Sequence, residues 1–166
     1  MDIIVKSAAK AVFNGKEYNC AIGKNGVTDD KKESDGMTPI GCFPLREVFY
    51  RPDRIAKPKT GLPISEINKG DGWCNDVNLA EYNQKIKLPF NGSYEELWHK
   101  EDNLYDVVVV MGYNDNPIIS GKGSTIFLHI ARPEFTPTLG CVAFRKEDLL
   151  EILKDCDINT RICIQR

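Results

Sequence analysis

Two side chains in this sequence are typed and spaced to act on one another. His129 lies in the apolar run STIFLHIA, and Cys141 follows twelve residues later in the turn Thr138-Leu139-Gly140-Cys141. A cysteine is a nucleophile only as its thiolate; a neighbouring imidazole can remove the proton or, once charged, hold the thiolate down in pKa. Gly140, lacking a Cβ, lets the backbone bend sharply just before the sulfur and aim N–H groups at a developing oxyanion. Pro133 and Pro137 punctuate the connection and exclude a continuous helix or a central strand there. The pair is therefore expected at the ends of neighbouring elements.

The elements that must position this pair can be read along the chain. Residues 3 to 8 and 10 to 22 read as strands, with Asn14-Gly15 a strong hairpin signal between AKAVF and KEYNCAI. Lys24 to Asp35 is polar and of mixed charge and reads as a solvated loop. Thr38-Pro39-Ile40-Gly41 is extended by the restriction a proline places on the residue before it; it is either a plain strand entry or part of the cleft lining. Phe43, Leu45, Val48 and Phe49 continue as a strand. Asp106 to Gly112 is a β-branched run of the kind buried on both faces of a sheet, and residues 124 to 131 form the next central strand, which carries His129. Lys146 to Asp157 puts Leu149, Leu150, Ile152 and Leu153 on one helical face, with Glu147 and Asp148 favourably near its N-terminus. Residues 158 to 165 close the chain as a strand.

Other stretches carry open alternatives. Arg51 to Gly72 holds three prolines and three glycines; so long an irregular connection reads as a rim or lid over the cleft or as a plain surface loop. Trp73, Asp76, Tyr82 and Asn83 cluster after it. Trp73 either floors a peptide or sugar site or anchors into the core, and Asp76 has the simpler reading of a turn cap. Ser93 and Glu96 have the spacing of a capping box, which predicts a short helix through Lys100 with His99 facing solvent.

These features resemble the L,D-transpeptidase (YkuD-like) catalytic domain, a family of cysteine enzymes that remodel bacterial peptidoglycan. The resemblance rests on His129 closing a strand, on the Thr138-x-Gly140-Cys141 turn, on Gly36-Met-Thr38-Pro39-Ile-Gly41-Cys-Phe43, and on Trp73-Cys74-Asn75-Asp76 with Tyr82-Asn83. It covers roughly residues 3 to 166. This chain has Ala143 where the family usually has arginine two positions after the cysteine, and its histidine-to-cysteine spacing is shorter. The resemblance implies a mainly β fold with a few short helices, a β-sandwich or mixed sheet with a helix packed behind the catalytic turn, in a single domain over residues 1–166. It further implies acyl transfer on peptidoglycan stem peptides through a thioester at Cys141, with His129 as acid–base and Thr138 and Gly140 shaping the turn. No metal or organic cofactor is implied. With the usual arginine absent, Arg132 or Arg145 is expected to meet a substrate carboxylate. The readings that compete are hydrolysis of the same bond (carboxypeptidase or endopeptidase), a non-catalytic peptidoglycan-binding module, and a thiol redox protein.

Composition sets limits on this. The chain has 166 residues, 42% hydrophobic and 28% charged, with a net charge of −2. That is enough chain for one well-buried domain, and it lacks the basic footprint of a nucleic-acid binder. A monomer without a membrane span is expected, since no apolar run reaches the length a span needs. The start, MDIIVKSAAKAVF, lacks the features of a secretory signal; the family implies the cell envelope or periplasm, and the cytoplasm stays open. Six cysteines (Cys20, Cys42, Cys74, Cys141, Cys156, Cys163) show no two-residue gap of a redox or zinc motif. Cys20, Cys156 and Cys163 read as apolar filler, and disulfide pairing stays open. An active site is expected to show one low-pKa thiol, at Cys141.

Overall fold

The computed structural model describes residues 1–166. In chain order its elements are β1 (Asp2–Lys6), β2 (Lys10–Phe13), β3 (Lys16–Ala21), β4 (Val27–Thr28), β5 (Thr38–Pro39), β6 (Gly41–Tyr50), β7 (Ile64–Glu66), β8 (Asp71–Cys74), β9 (Lys85–Lys87), β10 (Tyr94–Glu96), β11 (Val107–Met111), β12 (Phe127–Ile130), β13 (Val142–Phe144), α1 (Lys146–Lys154) and β14 (Arg161–Gln165).

Local signals account for several of these. Asn14 and Gly15 both take positive φ, 51° and 75°, which is what a two-residue hairpin of matching twist demands. β2 and β3 then pair from Lys10↔Asn19 to Phe13↔Lys16. The valine run of β11 is wholly buried and flanked on both sides, by β12 and by β6. The largest sheet runs β11-β12-β13-β3-β2-β1-β14-β6-β7, and the extra β11–β6 pairing closes it. Where the sequence left a sandwich or a mixed sheet open, strand pairing gives a mixed sheet closed into a barrel-like shell.

Alternation along the strands sorts side chains between two cores. Leu128 and Ile130 of β12 and Val142 and Phe144 of β13 join the larger cluster inside the shell, together with Leu149, Ile152 and Leu153 of α1. The single α-helix thus packs behind the turn that bears Cys141. Phe127 and Cys141 point the other way, into a smaller cluster with Trp73, Leu97 and Tyr105. No helix is long and apolar enough to cross a membrane.

Several expectations need correction. Residues 93 to 100 form no helix: Tyr94–Glu96 is strand β10, paired to β8, and the Ser93 hydroxyl donates to Asn75 Oδ1 instead of capping. Cross-strand pairing overrode a local cap signal. The stretch from Arg51 to Gly72 does not line the cleft as a lid. Its β7 pairs with β6, Leu62 and Ile67 are buried in the two cores, and Arg51 and Arg54 donate to the carbonyls of His99 and Asp102. It therefore buttresses the segment that does line the cleft. α1 ends at Lys154, where the amides of Asp155 and Cys156 fold back onto Ile152 and Leu153. Cys163 is not a lone filler: it lies opposite Cys42 across the β14–β6 ladder and is disulfide-bonded to it.

Candidate active site

β12 and β13 run parallel, with His129 opposite Ala143 and Leu128 opposite Val142. By alternation Phe127, His129, Cys141 and Ala143 share the outer face, so sheet register puts the histidine and the cysteine on the same side of the sheet. Both line a cavity of about 620 Å³. Ala143 lines it too, beside the imidazole; this small residue leaves open the volume that a long side chain there would fill.

The turn before the sulfur is over-determined. Gly140 sits at φ 144°, and a Cβ on it would lie 2.9 Å from the Met37 carbonyl oxygen, so only glycine fits. The Thr38 hydroxyl, fully buried, donates to the Gly140 carbonyl at 2.9 Å and accepts from the Gly23 amide. That settles the use of the Thr-Pro element: it bolts the turn in place from beneath. The Thr138 hydroxyl donates to the Cys141 carbonyl at 2.7 Å and accepts the Gly140 N–H at 3.0 Å. The Gly140 amide is thereby occupied, whereas the Cys141 amide makes no hydrogen bond within the chain.

Electrostatics place the pair in a definite resting state. His129 Nδ1 is 2.9 Å from the Ile130 carbonyl oxygen. A carbonyl can only accept, so Nδ1 carries the proton and Nε2 keeps its lone pair. Burial lowers the His129 pKa from 6.5; the Ile130 carbonyl opposes this and the charge of His99 adds to it. The Cys141 thiol is pushed up to about 12 by burial, against the Phe127 amide and the charge of Lys31, which pull it down. Sγ donates to the Thr125 carbonyl at 3.2 Å and accepts from the Phe127 amide at 3.4 Å. Burial thus acts against the low-pKa thiol anticipated from sequence and disfavours the charged form of both groups.

A second set of residues holds the Thr125 carbonyl where the thiol finds it. Thr125 sits at φ 58°, a costly conformation for a β-branched residue, of order 1–3 kcal/mol. Its amide donates to Asn83 Oδ1, which also accepts Trp73 Nε1–H at 2.9 Å. Asn83 Nδ2 ties the same group to the carbonyls of Tyr113 and Asn114. Trp73 is buried edge-on to Phe127 behind the cavity, which is the core-anchor reading of that residue.

Residues the sequence passed over complete the wall. His99, expected to face solvent, is only 17% exposed, with Nδ1 2.8 Å from Asp102 and Nε2 3.4 Å from Glu95. Burial would lower its pKa, but the two carboxylates overcome that and raise it above 6.5. It stacks on Tyr105 at 4.0 Å, and Tyr105 in turn stands 5.4 Å from His129. Lys31, within the stretch read as a solvated loop, is buried in the cavity wall. Arg132 lines the cavity; Arg145 lies outside it, exposed, and donates to Asp148 at the start of α1. No three His, Cys, Asp or Glu side chains converge as a metal site would need. Being one of only two histidines in the chain was the one sequence signal that singled out His99; Lys31 had none.

Comparison with known proteins gives the family of the chain. The model of the YkuD family, L,D-transpeptidase catalytic domain, matches residues 3–164. The chain belongs to that family. No curated protein matches it. Among solved structures, the helical cell shape determining protein Pgp2 from Campylobacter jejuni is similar at 13% identity with a TM-score of 0.48, and its K307A mutant at 14% with 0.49. In both cases the match covers 99% of this chain and under half, 47% and 46%, of the other. His129, Arg132, Thr138, Gly140 and Cys141 all line the one cavity.

Proposed function

We propose that this YkuD domain catalyses cysteine-dependent acyl transfer on peptidoglycan stem peptides in the cell envelope. Cys141 Sγ attacks the amide carbonyl on the L-centre side of the third stem residue, a diamino acid, while His129 Nε2 takes the thiol proton. The carbonyl oxygen becomes an oxyanion facing the free Cys141 amide. On collapse the C–N bond breaks, His129 returns the proton to the departing D-amino acid, and a thioester remains on Cys141. An amine acceptor then completes transpeptidation, and water completes hydrolysis. Arg132, at the cavity edge, takes the substrate carboxylate; its planar fork of donors suits that group.

One observation carries this reading: the Ile130 carbonyl fixes the His129 tautomer so that a lone pair, not a proton, is available in the cavity that holds Cys141. A second reading, a non-catalytic peptidoglycan-binding module, draws on the neutral thiol turned toward Thr125 instead of the imidazole. Hydrogen bonds of catalytic groups are often loose until substrate arrives, which favours the first.

The deciding experiment is intact-mass spectrometry of the protein incubated with purified muropeptides, wild type against Cys141→Ala. An adduct or processed muropeptide seen only with wild type supports acyl transfer, and the released product separates transpeptidation from hydrolysis. Muropeptide binding with neither adduct nor product in wild type hands the site to the binding-module reading.

A further inference from the structure

An oxyanion on a substrate bound to Cys141 needs more than one donor, and the turn supplies fewer than its sequence suggests. The Gly140 amide is held by Thr138 Oγ1 at 3.0 Å, which leaves the Cys141 amide alone. Oxyanion stabilisation is ordinarily shared between donors fixed in place before the reaction. The second donor has to come from elsewhere in the cavity wall.

Lys31 is the group in position. Its side chain is 4% exposed although it sits between exposed neighbours, Asp30 and Lys32. Drawing an ammonium out of water is costly, and a surface lysine could reach a carboxylate without that cost. Nζ donates to the Lys32 carbonyl at 2.9 Å and to Asp35 Oδ1 at 2.5 Å. An ammonium has three protons, so one is left. Nζ lies 3.7 Å from where a Cβ on Gly140 would be and lines the cavity that holds Cys141 and His129.

The anchor of Lys31 is itself fixed. Asp35 accepts from the amides of Lys32 and Met37, each at 2.9 Å. The Met37 carbonyl oxygen is the atom nearest the place a Cβ on Gly140 would take. Ammonium, carboxylate, strand entry and catalytic turn therefore form one continuous contact, set before any substrate binds.

We propose that Lys31 is a catalytic residue whose remaining ammonium proton completes the oxyanion hole with the Cys141 amide. This rests on the acyl-transfer reading above. As the Sγ–C bond forms and the thiol proton passes to His129, the carbonyl π pair moves onto oxygen, where Cys141 N–H and Lys31 Nζ–H hold it. On collapse the pair re-forms the carbonyl and the C–N bond breaks. Lys31 gains and loses no proton. Its charge also draws the Cys141 thiol down, against burial, which acts first, and against Glu95.

The test measures acyl-enzyme formation from muropeptides by intact mass, and in parallel the pH dependence of Cys141 alkylation by iodoacetamide. The charged and titrating groups that face Sγ are Lys31, Glu95, His129 and Tyr105. Lys31→Met should slow acylation ~10²-fold with KM little changed, and move Cys141 alkylation to higher pH. Lys31→Arg should recover part of both. Because Lys31→Met strands Asp35, the same measurements are made on Lys31→Met/Asp35→Asn, which removes both charges. Wild-type acylation rates together with an unmoved alkylation profile in these variants overturn the role of Lys31 and leave Cys141 and His129 intact. No acyl-enzyme in wild type overturns the acyl-transfer reading and the oxyanion role together.

Discussion

The two histidines of this protein line one cavity, each lies near the Tyr105 ring, and they are handled in opposite ways. His129 rides a central strand and is buried, which lowers its pKa, and its Nδ1–H donates to a backbone carbonyl, which leaves the lone pair on Nε2. His99 rides an irregular segment, is held between Glu95 and Asp102, and is biased toward its charged form. The difference teaches that burial pushes both rings toward the neutral form and that only carboxylate partners reverse it. A carbonyl beside one nitrogen fixes the tautomer without overcoming burial, and carboxylates on both nitrogens favour the charged form.

The contrast can be broken most sharply at His129. His129→Gln should lower kcat/KM for muropeptides by about 10²–10⁴-fold, the range a positioned acid–base group supplies. Measured turnover within tenfold of wild type would remove His129 from the reaction and with it the contrast in roles.

A smaller effect is expected at His99. Its charge helps keep His129 neutral, so His99→Gln should cost no more than about tenfold in kcat/KM, less than the ordinary range for an acid–base group. The acid limb of the kcat/KM profile, which reports protonation of His129 in the free enzyme, should move to higher pH. A limb that stays in place, or moves down, shows that the two rings are not coupled across Tyr105.

The finest discrimination comes from stability against pH, where the two residues have opposite signs. The native pKa of His129 is depressed below 6.5, so the unfolded chain binds more protons and stability is lost as pH falls below 6.5 toward the depressed value. His99 has a native pKa above 6.5; its contribution is fully present below 6.5 and is lost as pH rises through the raised value. Urea unfolding should therefore show His99→Gln costing more at about pH 5.5 than at about pH 8.5, and His129→Gln the reverse, on either side of the ordinary histidine range. Equal costs at the two pH values would mean that neither ring is perturbed as described.

How much of this was legible beforehand depended on whether a signal was local. The Asn14-Gly15 hairpin, the valine strand and the amphipathic helix were readable because each is dictated by turn chemistry or periodicity inside its own segment. His129 and Cys141 were readable as candidates for a related reason: a strand end and a glycine turn are local, and lining one cavity needs only one parallel register. Ser93 to Lys100 misled because a capping-box spacing is a weak preference, and pairing with β8 outweighed it.

By itself, then, the sequence determined which cysteine and histidine to pair as candidates, the glycine before the sulfur and the strand that carries His129. Their residue types and spacing are written within some twenty consecutive positions. Only the tertiary structure decided the charge state of that pair and the membership of the wall around it. Burial of Cys141 and His129, the tie from Thr38 to Gly140, and the approach of Lys31 and His99 join residues as much as 102 positions apart or more. Desolvation and long-range contact have no counterpart in a linear pattern, so they appear only once the chain has closed on itself.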